Sequence, residues 1–322
     1  MKTKLNFQTT INCPKEILWQ QISVKQLYGH WINELYPNTQ IQGNWLEESE
    51  EIRFISPELG HGTSCSIKEL ISCQLLTFEY HSWIKDSIID PSESKLWKGT
   101  TESYSISGQG DTCILRVDLV TDECWQTLFQ RVLPISLSKI KEQCESVYLG
   151  LKFPIGGFTS SGKFDLASRK ERIKSIRELP EKIKEISKHL NEFDLRKVYR
   201  PNGWTIAQVI HHLADSHMNS LMRFKLSLTE HNPKIKPYQE GLWAELIDGK
   251  TVEIQSSLQL LSAIHDKWTS ILEDMAEKDF QKTFFHPESE EMVTLDKALE
   301  VYQWHGNHHL HHIHQALSYK FS

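Results

Sequence analysis

The spacing of apolar residues along this chain changes near residue 150. Before that point, short segments alternate apolar and polar positions and are rich in β-branched and aromatic side chains. A period of two predicts strands that bury one face. Turn signals at Pro57–Gly60 and Gly108–Asp111 separate some of them. The predicted strands are KLNFQTTI, EEIRFIS, TSCSIKELI, QLLTFEYHSW, TTESYSIS and TCILRVDLV.

Two helical segments interrupt these strands. Pro14 follows Cys13 and suits a first helical turn, so the segment KEILWQQI is predicted to be a helix. A longer helix is predicted from about Asp122 to Tyr148, and Pro134 is expected to kink it. The first half therefore predicts an α+β domain.

After residue 150 the apolar positions follow the period of amphipathic helices. Glycine, serine and proline cluster between residues 150 and 163, so we expect domains at 1–149 and 150–322. Four helices of this length predict an up-and-down bundle. Pro180 is expected to break the first of them, and Thr294 to cap the last. The predicted helices are Ser168 to Leu190, Thr205 to about Glu230, Thr251 to Met275, and Leu295 to Tyr319.

Composition narrows the class of function. The 322 residues, 39% hydrophobic and 24% charged, are typical of a soluble protein with two domains. The net charge of -6 argues against nucleic-acid binding. Because no apolar run is long enough to cross a bilayer and MKTKLNFQTT lacks an apolar signal core, we expect a cytoplasmic protein without membrane association. All six cysteines precede residue 150, whereas thirteen of the sixteen histidines follow it.

The segment WHGNHHLHHIH, residues 304–314, concentrates six histidines near the C-terminus. Residues four apart share one helix face, so the pairs His305/His309 and His308/His312 both have the spacing of helical metal sites. The apolar stripe places His309 inside it and His305 at its edge, while His308 and His312 fall toward the flank. The alternative is a buried helix with incidental histidines, which would cost free energy. The stripe consists of Leu295, Leu299, Tyr302, Gly306, Ile313 and Leu317.

A third ligand has to come from another helix, because an open catalytic site typically combines three protein ligands with water. The segment His211-His-Leu-Ala-Asp-Ser-His217 is the candidate. Periodicity favours His217, which lies among apolar residues of the predicted second helix. His212 falls toward one flank, on a face shared with Ser216, Asn219 and Arg223.

The order of elements in the first half resembles the START-like (SRPBCC) helix-grip fold. The segment PKEILW and the hairpin GHGTSCSIKELISCQLLTFEYHSW resemble the subgroup related to activators of the Hsp-ninety ATPase. The resemblance implies a curved sheet around a long helix and a cavity for a hydrophobic ligand. The alternative, which the lack of a polar constellation favours, is that the tryptophans fill the core. These residues are Trp19, Trp31, Trp45, Trp83 and Trp97.

The second half resembles the YfiT branch of the DinB-like superfamily. The resemblance is carried by FPIGGF, GWTIAQVIHHLADSHMNSLMRFKLSLTE, KPYQEGLWAEL and YQWHGNHHLHHI, and it covers residues 151–320. It implies a four-helix bundle with a three-histidine metal centre, metal-dependent hydrolase activity and a homodimer. The family's first ligand precedes Leu-Ala-Asp, which implies His212 rather than His217. The other two follow Tyr-x-Trp, which implies His305 and His309.

Three imidazoles would leave a divalent ion its full charge and an open position. A bound water can then ionise near neutral pH and attack a small-molecule substrate, as in the metal-dependent hydrolase that the resemblance implies. The ligand set alone does not distinguish this reaction from thiol transfer. A bound thiol would be deprotonated in the same way, and some relatives are thiol S-transferases that use bacillithiol or a similar thiol. We expect one ion per chain, with zinc favoured and nickel second.

Other assignments follow from position in the sequence. Asp215 is a candidate to orient a ligand imidazole, and Arg223, Glu240 and Glu245 are candidates to contact substrate. The competing class of function is a non-catalytic small-molecule binding or sensor protein with a structural metal. A structural site would be closed by a fourth protein ligand, and the sequence offers no compelling one, which favours the enzyme.

Overall fold

The computed structural model describes residues 1–33, 38–47, 50–86 and 88–318. The chain divides into two compact units, unit 1 at Met1–Leu149 and unit 2 at Gly150–Ser322. In the described part of the chain, every helix is too short or too polar to cross a membrane.

Unit 1 is built on an antiparallel sheet. The strand order is β1-β8-β7-β5-β4-β3-β2, with β6 paired to β5. The strands are β1 (Lys2–Ile11), β2 (Gln40–Gln42), β3 (Ile52–Ser56), β4 (His61–Ile71), β5 (Leu75–Lys85), β6 (Ile88–Asp90), β7 (Thr100–Gln109) and β8 (Thr112–Asp122). The helices are α1 (Lys15–Ser23), α2 (Lys25–Ile32), α3 (Pro91–Trp97) and α4 (Gln126–Lys152), with a 3₁₀ turn at Glu123–Trp125.

The long helix α4 packs against the end of β1 and the segment that follows it. Lys141 Nζ donates to the carbonyl oxygen of Thr10 at 2.6 Å, and Glu145 Oε1 accepts from the backbone N–H of Asn12 at 2.9 Å. Its apolar face, which includes Ile140, is buried. An antiparallel sheet with a long helix after its last strand confirms the α+β architecture expected of the first half.

Aromatic rings occupy the interior of unit 1. Tyr28 contacts Trp31 and Trp45 with ring centroids 5.0 and 4.8 Å apart, and Phe78 packs beside Trp45 at 5.7 Å. Trp31 and Trp97 are buried, whereas Trp19, Trp45 and Trp83 are half-buried. Contacts between the rings are those expected of tryptophans that fill a core.

The sequence missed several short elements of unit 1, namely α2, α3, β2 and β6. Segments of three to eight residues carry too few positions for periodicity to be recognised. The local signal at α3 is nevertheless clear, because Asp90 accepts from the N–H groups of Ser92 and Glu93 and Pro91 occupies the first helical position. Pro134 lies within α4, which is assigned as a single helix of 27 residues.

Unit 2 contains four long helices, which confirms the predicted bundle. The third of these, α10, begins later than expected from the sequence, whereas the fourth, α11, begins where predicted. Thr294 Oγ1 accepts from the N–H of Lys297 at 3.1 Å, as expected of an N-cap, and Tyr319 lies outside the described residues. The elements are α5 (Leu166–Ser187), α6 (Glu192–Leu195), α7 (Ile206–Thr229), α8 (Glu240–Trp243), α9 (Ile247–Lys250), α10 (Gln255–Asp274), a 3₁₀ turn (Glu277–Gln281), β9 (Thr283–His286), β10 (Glu291–Thr294) and α11 (Leu295–Ser318).

Pro180 does not break the first helix of the bundle, contrary to the sequence expectation. Helix α5 continues through it from Leu166 to Ser187. A proline has no N–H, so the carbonyl of Ile176, four residues earlier, loses its helical donor. That carbonyl accepts from His265 Nδ1 of α10 at 2.6 Å instead. The helix tolerates the proline here because the freed acceptor is satisfied by a neighbouring helix.

Two buried ion pairs join α5 to α11. Arg169 donates to both carboxylate oxygens of Asp296 at 2.8 and 2.7 Å. Arg172 Nη2 donates to Glu300 Oε1 at 2.7 Å, and Ser160 Oγ donates to Glu300 Oε2 at 2.6 Å. All four charged side chains are less than 10% exposed. Breaking either pair would leave a buried charge without its partner, so the two pairs favour the observed alignment of α5 and α11.

Candidate metal centre

Three histidine side chains converge between α7 and α11. One ring nitrogen each from His212, His305 and His309 lies within 4.8 Å of the others. His212 Nε2 and His305 Nε2 are 3.2 Å apart. His305 and His309 stand one turn apart on α11, and His212 faces them from α7. The indole of Trp204 packs on the His212 ring, with centroids 4.7 Å apart.

The geometry and charge state of the three rings suit a divalent metal. Zinc–nitrogen bonds of about 2.0–2.1 Å in a tetrahedral shell place two ligand nitrogens about 3.3 Å apart, close to the separation of His212 and His305. Burial lowers the pKa of His212 to about 4. Burial and the neighbouring imidazoles hold the pKa values of His305 and His309 well below the ordinary histidine value. The rings are therefore neutral at pH 7, which is the form that binds metals.

His305 is the first member of a line of hydrogen-bonded imidazoles that runs into the bundle. Its Nδ1 lies 3.2 Å from His217 Nε2, and His217 Nδ1 lies 2.7 Å from His265 Nε2. His265 Nδ1 reaches the carbonyl of Ile176 at 2.6 Å. His217 is fully buried, as its position in the apolar stripe of α7 indicates, but it lies behind His305, and the structure groups His212 with the α11 pair.

A second line of imidazoles begins at His309. Its Nδ1 lies 3.4 Å from His312 Nδ1, and His312 Nε2 lies 3.2 Å from the carbonyl of Lys152. His308 and His312 are both buried, which corrects the expectation that they fall toward the flank. The reason is that other parts of unit 2 cover this side of α11. The Tyr199 ring stacks on His312 at 3.8 Å, and Phe153 packs beside His308 at 5.9 Å.

The remaining histidines of these segments lie apart from the three-histidine cluster. His211 Nδ1 bonds to Ser257 Oγ at 2.8 Å, and its Nε2 bonds to the Thr251 carbonyl at 3.0 Å. His311 and His314 are exposed on the outer side of α11. The six histidines near the C-terminus therefore occupy several different environments.

Two of the candidate carboxylates, Asp215 and Glu245, lie outside the three-histidine cluster. In the described part of the chain, the Asp215 carboxylate makes no hydrogen bond to the three rings. Its pKa is raised mainly by burial and secondly by the negative charge of Asp248. Glu245 pairs with Lys250 at 2.5 Å. Histidines and backbone carbonyls thus occupy the positions behind His305 and His309 where a carboxylate often lies in metal sites.

A cavity of about 360 Å³ opens beside His305. Its half-buried Arg223 donates to Tyr302 Oη at 3.1 Å, and no carboxylate of the described residues pairs with that guanidinium. Burial, followed by the charge of Glu288, raises the pKa of Glu240 in the same cavity. The other lining residues are Phe158, Ser216, Pro237, Tyr238, Phe284, His286, Glu291, Val293, Lys297, Ala298 and Val301.

The sequence reasoning missed His265 and the cavity wall formed by β9 and β10. For His265 a signal existed, because it lies four residues after Leu261 and three before Trp268, inside the apolar stripe of α10. For the wall, Phe284 and His286 lie on the same face of β9, but a strand of four residues is too short for its periodicity to be recognised.

The second half of the chain is similar in sequence to known proteins. Residues 176–313 match the model of the DinB superfamily. The protein named "Putative metal-dependent hydrolase YfiT" of Bacillus subtilis is 42% identical over 165 residues, which cover 51% of this chain and 93% of that protein. "Putative metal-dependent hydrolase OB0782" of Oceanobacillus iheyensis is 47% identical over 162 residues, which cover 50% of this chain and 93% of that protein.

Solved structures show similarity to each half. The structure of YfiT from Bacillus subtilis covers 52% of this chain and 95% of that chain, at 42% identity and a TM-score of 0.51. The Aha1 dimer from Colwellia psychrerythraea covers 44% of this chain and 96% of that chain, at 14% identity and a TM-score of 0.35, which is too weak to assign unit 1 a function. Identity above 40% across nearly the whole length of YfiT shows that this chain belongs to the DinB superfamily, as a relative of YfiT.

Proposed function

We propose that unit 2 is a metal-dependent hydrolase whose divalent ion is held by His212, His305 and His309. The observation that carries the proposal is the convergence of three neutral ring nitrogens within 4.8 Å. Three protein ligands with a further position for water or substrate are the pattern of catalytic zinc sites. In the described residues no fourth histidine, cysteine or carboxylate joins the group, and the names of the relatives support the same class of activity.

The chain's own residues give this centre a substrate pocket. A divalent ion bound there supplies Lewis acidity and an activated water. The cavity of about 360 Å³ beside His305 is large enough for a small molecule. Arg223, oriented by Tyr302, offers unpaired donors to an anionic group of the substrate. Phe158 and Phe284 contribute apolar wall that excludes water from the bound substrate.

We propose zinc as the ion, with nickel as the second candidate. Imidazole ligands suit both ions, and zinc imposes no geometric preference of its own on three histidines. Metal analysis of the purified full chain by mass spectrometry identifies the bound ion. Activity restored to chelator-treated protein by zinc, and less by nickel, would support the assignment, whereas restoration by nickel alone would contradict it.

A thiol S-transferase would use the same three histidines, so the reaction class needs a direct comparison. The metal-loaded full chain is assayed with a panel of esters and amides, and separately with electrophile-plus-thiol pairs. Turnover of an ester or amide without thiol, lost in His305→Ala and retained in His311→Ala, is the expected result. Turnover only when a thiol is present would replace the hydrolase by the transferase.

A further inference from the structure

We propose that His217 and His265 are positioning residues that fix the ring tautomer of His305, so that His305 offers only Nε2 to the ion. The proposal rests on the proposed function, because it takes His305 as a ligand. Both side chains are buried, and neither is among the residues that line the substrate cavity. The line of imidazoles that begins at His305 ends at the carbonyl oxygen of Ile176.

The carbonyl oxygen of Ile176 determines which ring nitrogen of His265 carries the proton. Pro180 has no N–H to donate to it, so its acceptor oxygen is open to α10. His265 Nδ1 lies 2.6 Å from that oxygen. A carbonyl oxygen only accepts, so the proton of the neutral His265 ring has to be on Nδ1. This leaves His265 Nε2 without a proton, as an acceptor.

The direction of donation then passes from ring to ring. His265 Nε2 accepts, so His217 Nδ1, at 2.7 Å, has to donate. His217 Nε2 is then the acceptor for His305 Nδ1 at 3.2 Å. A neutral imidazole carries one N–H, so the Nε2 of His305 keeps its lone pair. That nitrogen is the one that faces His212 Nε2.

Reversing the direction of donation along the line of imidazoles is unfavourable at one end and incompatible with metal binding at the other. At one end it would set the lone pair of His265 Nδ1 against the carbonyl oxygen of Ile176. At the other end it would place the proton of His305 on Nε2, where the ion would bind. His217 and His265 are 0% and 1% exposed, so water is not at hand to satisfy a misdirected donor or acceptor. The tautomer of His305 is therefore set by a backbone carbonyl two side chains away.

The tautomers can be observed directly. The metal-free full chain, labelled with ¹⁵N in its histidine rings, is recorded in long-range ¹H–¹⁵N correlation spectra. We expect His217 and His265 to show the pattern of the Nδ1–H tautomer. The Nε2–H pattern for either ring would overturn the proposal, because the donors would then point the other way.

Metal affinity supplies the second test, with substitutions at His265. His265→Leu removes the acceptor for His217, whereas His265→Gln retains an oxygen close to the position of Nε2. We expect His265→Leu to weaken zinc binding about 10- to 100-fold, the usual effect of losing a residue that orients a ligand. His265→Gln should recover most of that affinity. Competition against a chromophoric chelator measures both.

His211→Leu is the matched control, because it removes a buried histidine of α7 that bonds to Ser257 and Thr251 rather than to the cluster. It should lower thermal stability and leave zinc affinity unchanged. If the wild-type chain binds neither zinc nor nickel, the proposed function fails. If the wild type binds zinc and His265→Leu binds it equally well, the metal site stands and the positioning role fails. Should His265→Leu not fold, the ring spectra of the wild type still decide.

Discussion

Gly306 of α11 lies so close to Leu179 of α5 that a Cβ on residue 306 would meet Leu179 Cδ2 at 2.6 Å. Gly306 directly follows His305 in the sequence, so the close approach of the two helices occurs at the level of the proposed metal centre. Leu179 is itself buried, which limits the space into which it could move. A side chain at residue 306 would therefore have to displace Leu179, whereas the backbone conformation of Gly306 is open to other residues.

Gly306→Ala is expected to destabilise unit 2 by about 1 kcal/mol. Overpacking costs about 1–3 kcal/mol, and alanine's preference for helix over glycine returns about 1 kcal/mol. In a Leu179→Ala background the obstacle is absent, so the same substitution should stabilise the protein by up to about 1 kcal/mol. Urea unfolding of the four proteins measures this. If Gly306→Ala also destabilises the protein in the Leu179→Ala background, a residue other than Leu179 limits the space for a side chain at residue 306.

His212→Ala should abolish stoichiometric metal binding, and His211→Ala should leave it intact. The two residues are adjacent on α7 and almost equally buried, but only His212 faces His305 and His309. Removing one of three imidazole ligands is expected to weaken zinc binding by at least about 100-fold, since the remaining two cannot complete the site. Metal content after dialysis, with circular dichroism as the check on folding, separates the two variants. Stoichiometric zinc in His212→Ala would contradict the ligand assignment.

Arg223→Met should lower kcat/KM for anionic substrates about 10- to 100-fold, the equivalent of one lost hydrogen bond to a charged group. Neutral substrates of the same size should be affected much less. Lys297→Met is the matched control, because Lys297 lines the same cavity but is already paired with Glu291 at 3.0 Å. Equal losses on anionic and neutral substrates would show that Arg223 serves the cavity structurally and does not bind the substrate.

The metal-free protein should lose stability as the pH falls from about 6.5 to about 4, in part through His265. Burial lowers the pKa of His265 from 6.5 to about 4, so over this range the unfolded chain takes up a proton that the folded chain does not. One such group makes stability fall by up to about 1.4 kcal/mol per pH unit as the pH drops between the unfolded and the folded pKa, and it contributes no slope above the unfolded pKa. His265→Gln should show a shallower slope by that amount, and the two curves should run parallel above pH 7. Identical slopes below pH 6.5 would rule out a neutral buried His265.

Glu300→Leu should destabilise unit 2 by about 3–5 kcal/mol, because it leaves the buried guanidinium of Arg172 without its carboxylate. The double substitution Arg172→Leu/Glu300→Leu should cost clearly less, since no uncompensated charge remains. Denaturant unfolding of the two single variants and the double variant forms a mutant cycle. A double variant that loses the sum of the single losses would show that the two residues act independently.

Local periodicity indicated the two α11 histidines that join the cluster, but not the α7 histidine that lies with them. His305 and His309 share a face because of their spacing, and that face follows from the apolar stripe of one helix. The stripe of α7 points toward the bundle interior, where His217 lies, whereas the cluster forms at the flank that α7 shares with α11. Only the resemblance to a family indicated His212, because the arrangement depends on how two helices pack and not on either one.

Pro180 shows a different limit of sequence reasoning. The local rule predicts a break, since the proline removes a hydrogen bond inside α5. The compensating donor, His265, lies 89 residues away from Ile176. No local pattern contains that contact. The same holds for β2 and β6, which are three residues each and depend on their partner strands to form.

Helix α11 carries two histidine pairs with identical spacing, and only the position of its apolar stripe distinguishes them within its own sequence. Moving the helix by three residues, a shift of about 4.5 Å together with a rotation of about 60°, would exchange His305/His309 for His308/His312. The buried pairs of Arg169 with Asp296 and Arg172 with Glu300 forbid that slide, because both guanidinium groups would lose their partners. The buried charges of α5 and α11 therefore help to select which of the two histidine pairs faces α7.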